Sequence, residues 1–127
     1  MNENKESGNT QQKLIFTCSG IADVGEIADR AGRKLHKEGT GKMWCIAGIG
    51  AGLSNFIDAT KATEKVLVID GCPVDCGKKM MENAAILNFS HLRVTDIGFE
   101  KGKSPASDAA VETAAAKGRI LLEGGAS

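Results

Sequence analysis

Lys65-Val66-Leu67-Val68-Ile69-Asp70-Gly71-Cys72-Pro73-Val74-Asp75-Cys76 is the stretch that decides the fold. Val66 to Ile69 are apolar without alternation, so the strand they form needs cover on both faces, as in a parallel sheet layered between helices. Asp70 and Gly71 end that strand. Pro73 suits the first position of a helix, and the spacing predicts a helix from Pro73 to about Ala85. Cys72 and Cys76, four residues apart, would then share one helical face, with β-carbons ~5–6 Å apart.

The same alternation extends outward in both directions. Upstream, Lys13 to Cys18 reads as a first strand, followed by a helix with Ile21, Val24, Ile27, Ala28, Ala31 and Leu35 on one face. Gly39 and Gly41 stop that helix. Lys42 to Ala47 reads as the second strand, and Leu53, Phe56, Ile57 and Thr60 mark a short helix after it. Downstream, His91 to Ile97 reads as the fourth strand, ended by Gly98. Ser104-Pro105 opens a last helix with Val111, Ala114 and Ala115 on one face. Four strand–helix units with right-handed crossovers give one α/β domain over residues 13–127. It is a three-layer, flavodoxin- or Rossmann-like arrangement with a parallel sheet of about four strands. Strand order 2-1-3-4 is the expectation, although the pattern does not fix it. Residues 1–12 (MNENKESGNTQQ) read as a disordered tail.

Composition narrows the function classes. The chain has 127 residues, and its 16 basic and 16 acidic residues cancel, which removes the electrostatic footprint of a nucleic-acid or anionic-membrane binder. No apolar run approaches the ~20 residues that span a bilayer. The polar N-terminal stretch lacks the apolar core of a signal peptide. A cytoplasmic location with reduced cysteines is expected, without nucleic-acid or membrane partners.

The four cysteines carry the functional signal. Cys18 closes the first strand, Cys45 lies in the second, Cys72 follows the third, and Cys76 comes four residues later. The intervals Cys18–Cys45 and Cys45–Cys72 are both 27 residues, about one strand–helix unit. Sites in open α/β sheets form outside the carboxyl ends of the strands, so four thiols are expected to meet there. A tetrahedral zinc with Zn–S of ~2.3 Å requires sulfurs ~3.8 Å apart. Thiolates at a helix start are stabilised by its dipole and free N–H groups. His36 and His91 are assigned to the opposite sheet edge, which leaves an all-sulfur site. Plain packing is the alternative, since free cysteine is a small, commonly buried hydrophobe; it gives no reason for four at one edge.

Other residues at that edge have lesser roles. Gly48-x-Gly50-x-Gly52 fails the dinucleotide fingerprint at Leu53 and lacks the ribose-binding acid. Those glycines are expected either to offer N–H groups to the thiolates or to make a tight turn. Asp70 and Asp96 are expected to accept backbone N–H groups at helix starts. Asp23 suits the first turn of a helix. Lys78 and Lys79 either offset thiolate charge or lie on a solvated helix face. Trp44 is expected in the core.

Cys18-Ser19-Gly20-Ile21-Ala22-Asp23, Cys45-Ile46-Ala47-Gly48, Asp70-Gly71-Cys72-Pro73-Val74-Asp75-Cys76 and Val94-Thr95-Asp96-Ile97-Gly98 together resemble the DGC-domain proteins. That family takes its name from the central Asp-Gly-Cys, and zinc binding through four cysteines is ascribed to it. The resemblance spans Lys13 to Lys103 and implies zinc at Cys18, Cys45, Cys72 and Cys76. The reading is a zinc-binding protein of unknown cellular role. Two alternatives stay open: a thiol–disulfide or persulfide-handling enzyme using Cys72 and Cys76, and an iron–sulfur cluster carrier. Whether the chain is an enzyme, and on what substrate, is not legible. The apolar strands form a core that should not need metal for its global fold.

Overall fold

The protein is described by a computed structural model over residues 12–124. Strands β1 (Lys13–Thr17), β2 (Lys42–Met43), β3 (Lys65–Asp70) and β4 (Ser90–Arg93) form one parallel sheet in the order β2-β1-β3-β4. The α/β class and the strand order are those expected. Except for Gln12, the tail expected over residues 1–12 lies outside the described residues, as do residues 125–127.

Among the described residues five α-helices cover the sheet: α1 (Asp23–Glu38), α2 (Ile46–Gly50), α3 (Ser54–Ala62), α4 (Cys76–Asn83) and α5 (Asp108–Gly124). The uninterrupted apolar run of β3 supplies both faces. Leu67 and Ile69 join Ile15, Val24, Ile27, Leu35, Ala114 and Leu122 under α1 and α5. Val66 and Val68 join Leu14, Phe16, Ile49, Met81 and Ile86 under α2 and α4. The first crossover leaves β1 toward β2 and the next returns past β1 to β3. The chain therefore reverses direction between β1 and β3, and the carboxyl ends of those two strands border the crevice where such folds bind ligands.

Four element boundaries differ from the expected ones, and all lie at this edge. The second strand was expected to reach Ala47 but ends at Met43, and Cys45 becomes the cap of α2, its carbonyl accepting from Gly48 N–H at 3.1 Å. Beside this turn Trp44 packs edge-on to Phe56 of the next helix, ring centroids 5.5 Å apart. The fourth strand stops at Arg93, and Val94–Ile97 coil into a 3-10 turn ended by Gly98 at φ +97°. The fourth helix begins at Cys76 rather than Pro73, because Asp75 sits in the left-handed region (φ +58°), where a helix cannot propagate. The last helix begins at Asp108, with Ser107 Oγ accepting from Ala110 N–H at 3.1 Å.

Candidate thiol site at the carboxyl edge

All four cysteines sit on loops or helix starts that follow strands at this edge, and all are free thiols. Across the sheet they run Cys45 after β2, Cys18 after β1, then Cys72 and Cys76 after β3. Cys18 and Cys72 are half-buried at the reversal point. Cys45 and Cys76 are exposed. Gly71 brings the two central loops together: a β-carbon there would fall 2.7 Å from the backbone of Val24 and Gly25, so only glycine lets the β3 exit lie against the start of α1.

The thiols share an edge without forming a cluster. The expected convergence of four sulfurs in one pocket is not met: among the described residues no three of them lie within 4.8 Å of one another. The shift of the helix start explains part of this. Cys72 belongs to a turn, with Asp75 N–H donating to its carbonyl at 3.1 Å, so it does not share a helical face with Cys76. Loss of the strand at Cys45 removes a second constraint.

Each thiol has its own surroundings. Burial pushes the Cys18 thiol up, opposed by the backbone N–H groups of Gly20 and Gly71, which favour thiolate; the charges of Asp70 and Cys76 add to the upward push. Cys72 Sγ lies 3.8 Å from Lys101 Nζ. Asp23 fixes the loop that carries Lys101: its carboxylate accepts from Gly102 N–H at 2.9 Å and Ser104 N–H at 3.0 Å, as well as from Val24 N–H at 2.8 Å. The bonds from Gly102 and Ser104 hold the Asp23 carboxyl below the usual carboxylate range. Lys78 is half-buried and Lys79 is exposed. The cation beside the thiols is Lys101, 29 residues beyond Cys72. Sequence reasoning had no signal for it, because only the folded loop brings it back.

A buried polar network lies beneath Cys76. Asp70, 1 % exposed, accepts from Gly77 N–H at 2.8 Å and Lys78 N–H at 3.0 Å. It caps α4 from the end of β3, the role expected of it. Its Oδ2 also meets His91 Nε2 at 2.8 Å. Asp75 is clamped by Arg93, whose Nε and second guanidinium nitrogen donate at 2.9 and 2.5 Å, and these bonds hold its carboxyl low. The histidine had been assigned to the opposite edge. Its pairing with Val68 in the register places it mid-strand, close enough for the side chain to reach the network. His36, near the end of α1, accepts from Met43 N–H at 3.0 Å and stays away from the thiols, as expected. Asp96 departs from its expected role and pairs with Arg93 at 3.0 Å.

Asp70, Asp75 and His91 offer ligand atoms within 4.8 Å of one another. Arg93 already neutralises Asp75, and backbone N–H groups already occupy Asp70, so the trio is a closed structural network. The glycine run has a packing role: β-carbons at Gly48 and Gly50 would meet Phe56 at 2.6 Å and Met80 Sδ at 2.8 Å, so these residues let α2 lie close to α3 and α4. Among the described residues no helix is long and apolar enough to cross a membrane.

The chain is 27 % identical over 88 residues to the anaerobic and virulence modulator AnvM of Pseudomonas aeruginosa, an alignment covering 69 % of this chain and 67 % of that protein. No solved structure matches it significantly. The DGC domain family matches residues 14–117, which include all four cysteines and the carboxyl-edge loops that bear them, and the chain belongs to that family.

Proposed function

We propose that this protein binds zinc through Cys18, Cys45, Cys72 and Cys76 at the carboxyl edge of the sheet. The observation that carries the reading is topological: four unpaired thiols, from three separate strand–helix units, all emerge at the carboxyl edge of the sheet. The donor chemistry fits a soft or borderline ion. The N–H groups of Gly20 and Gly71 facing Cys18 are the outer-shell donors that thiolate ligands use. The spacing requires movement, because a tetrahedral site holds its sulfurs ~3.8 Å apart. Cys18 and Cys72, which follow the two central strands, would mark the centre of the site, and the exposed thiols of Cys45 and Cys76 would swing toward it. Lys101 would offset part of the charge on four thiolates.

A second reading is favoured by the ammonium beside Cys72. In it Cys72 is a nucleophile in thiol–disulfide or persulfide chemistry, with Cys76 as its resolving partner. A relative named for anaerobic and virulence modulation suits either a metal–thiolate or a redox-active thiol site. Elemental analysis of protein purified without added metal, with thiol titration and an absorption spectrum, tests both. About one zinc per chain with blocked thiols supports the first reading. Four free thiols and no metal support the second, and absorption near ~400 nm would replace zinc with an iron–sulfur cluster.

A further inference from the structure

Ser19, Asp75 and Ala85 are the non-glycine residues with positive φ among those described, and the first two flank cysteines. Ser19 follows Cys18 at φ +53°, and Asp75 precedes Cys76 at φ +58°. Such conformations cost on the order of 1–3 kcal/mol and persist only where surroundings impose them. At both positions an anchor is visible. Ser19 Oγ donates to Asp29 of α1 at 2.9 Å. Asp75, 8 % exposed, takes two hydrogen bonds from Arg93 of β4.

The Asp75 anchor lies between two fixed points. Upstream, Gly71 is wedged against the backbone of α1, and its carbonyl accepts from Thr95 N–H at 3.2 Å. Downstream, Asp70 holds the N–H groups of Gly77 and Lys78. Cys72 is tied to the first point and Cys76 to the second. The strained residue between them is where a backbone rotation changes their separation. If Asp75 left the left-handed region for the helical one, α4 would extend upstream by one residue and the Cys72 turn would be re-aimed relative to Cys76.

We infer that Arg93 and Asp75 form a latch that holds Cys72 and Cys76 in the spread arrangement, and that opening it lets the two thiols close on one ion. This rests on the zinc reading for the identity of the ion, though not for the motion itself. Arg93 is then a positioning residue that touches neither thiol.

The test uses two probes on the full chain. Zinc affinity is measured by competition with a chromophoric chelator. Phenylarsine oxide, which bridges two thiols closely spaced and releases its oxygen as water with their two protons, reports closure without zinc. Arg93→Gln is expected to bind zinc about tenfold more tightly, equivalent to ~1.4 kcal/mol. It should also be bridged at Cys72–Cys76 correspondingly faster, as mapped by mass spectrometry. Alkylation of the same thiols by iodoacetamide, which needs no closure, should keep its wild-type rate. Should Arg93→Gln fail to fold, Asp75→Ala serves: alanine lacks the anchor and keeps the cost of the left-handed conformation, and the same shifts are expected. Faster bridging without zinc binding in any variant would remove the zinc reading and leave the latch standing. Zinc binding with wild-type affinity and wild-type bridging in a folded latch variant overturns the latch. Slower bridging overturns it as well, because Arg93 would then be bringing the thiols together.

Discussion

Asp70→Ala removes the side chain on which the carboxyl edge depends most, and the structure gives the size of the effect. The carboxylate is 1 % exposed and accepts three hydrogen bonds, from Gly77 N–H, Lys78 N–H and His91. Bonds to a charged acceptor contribute roughly 1.5–3 kcal/mol each. Water entering the space left by the truncation would recover part of that, which puts the net loss at about 3–6 kcal/mol. Against a typical total of ~5–15 kcal/mol this is severe. Asp70→Asn should lose less. Its amide oxygen still accepts from Gly77, and His91 can accept from its NH2 group as the other tautomer, so the residual defect is a donor facing Lys78 N–H, about 1–3 kcal/mol. Urea unfolding with chelator present in every sample reads these differences without metal linkage. Amide exchange should show protection lost first at Gly77 and Lys78. An Asp70→Ala protein within ~1 kcal/mol of wild type, with those amides still protected, would refute the capping role.

Four further outcomes are expected. Gly71→Ala forces a β-carbon to within 2.7 Å of the α1 backbone and should cost about 1–3 kcal/mol in the same urea assay, because no flexible side chain can give way. Asp23→Asn should flatten the acid limb of the stability curve: a carboxyl with a depressed folded value stabilises above its unfolded value near ~3.9, and that contribution disappears as pH falls through the folded one. Cys76→Ser should lose tight zinc retention yet melt with wild type in chelator, since the core strands pack without Cys76; unfolding of wild type by chelator alone would make the metal a folding requirement. Lys101→Met should slow alkylation of Cys72 by anionic iodoacetate roughly two- to fivefold more than by neutral iodoacetamide, and salt should shrink the difference.

The legible part of this fold is the part that local apolar pattern controls. Val66 to Ile69 dictated a doubly covered strand, and the expected apolar face of α1 appears in the core from Val24 to Leu35, while Ile21, expected on it, precedes the helix and is exposed. The site was legible as an edge but not as a geometry. Whether α4 starts at Pro73 or Cys76 depends on Asp75, whose left-handed backbone is held by Arg93, 18 residues away. Whether His91 reaches Asp70 depends on where β4 pairs with β3. Lys101 meets Cys72 only because Asp23 folds its loop back. These three misses are long-range polar contacts, about which apolar periodicity carries no information.

The distribution of hydrogen bonds at the edge also bears on chemistry. Asp23 and Asp70 spend their oxygens on backbone N–H groups, Asp75 is neutralised by Arg93, and His91 is bonded to Asp70. Among the described residues no carboxylate or imidazole hydrogen-bonds a thiol, and the side-chain contact on sulfur comes from a cation. Here the acids build the scaffold, and the groups left for chemistry are four thiols, an ammonium and the N–H groups of Gly20 and Gly71. That set stabilises negative sulfur, which thiolate ligands to a soft cation and an ammonium-activated nucleophilic thiol both require.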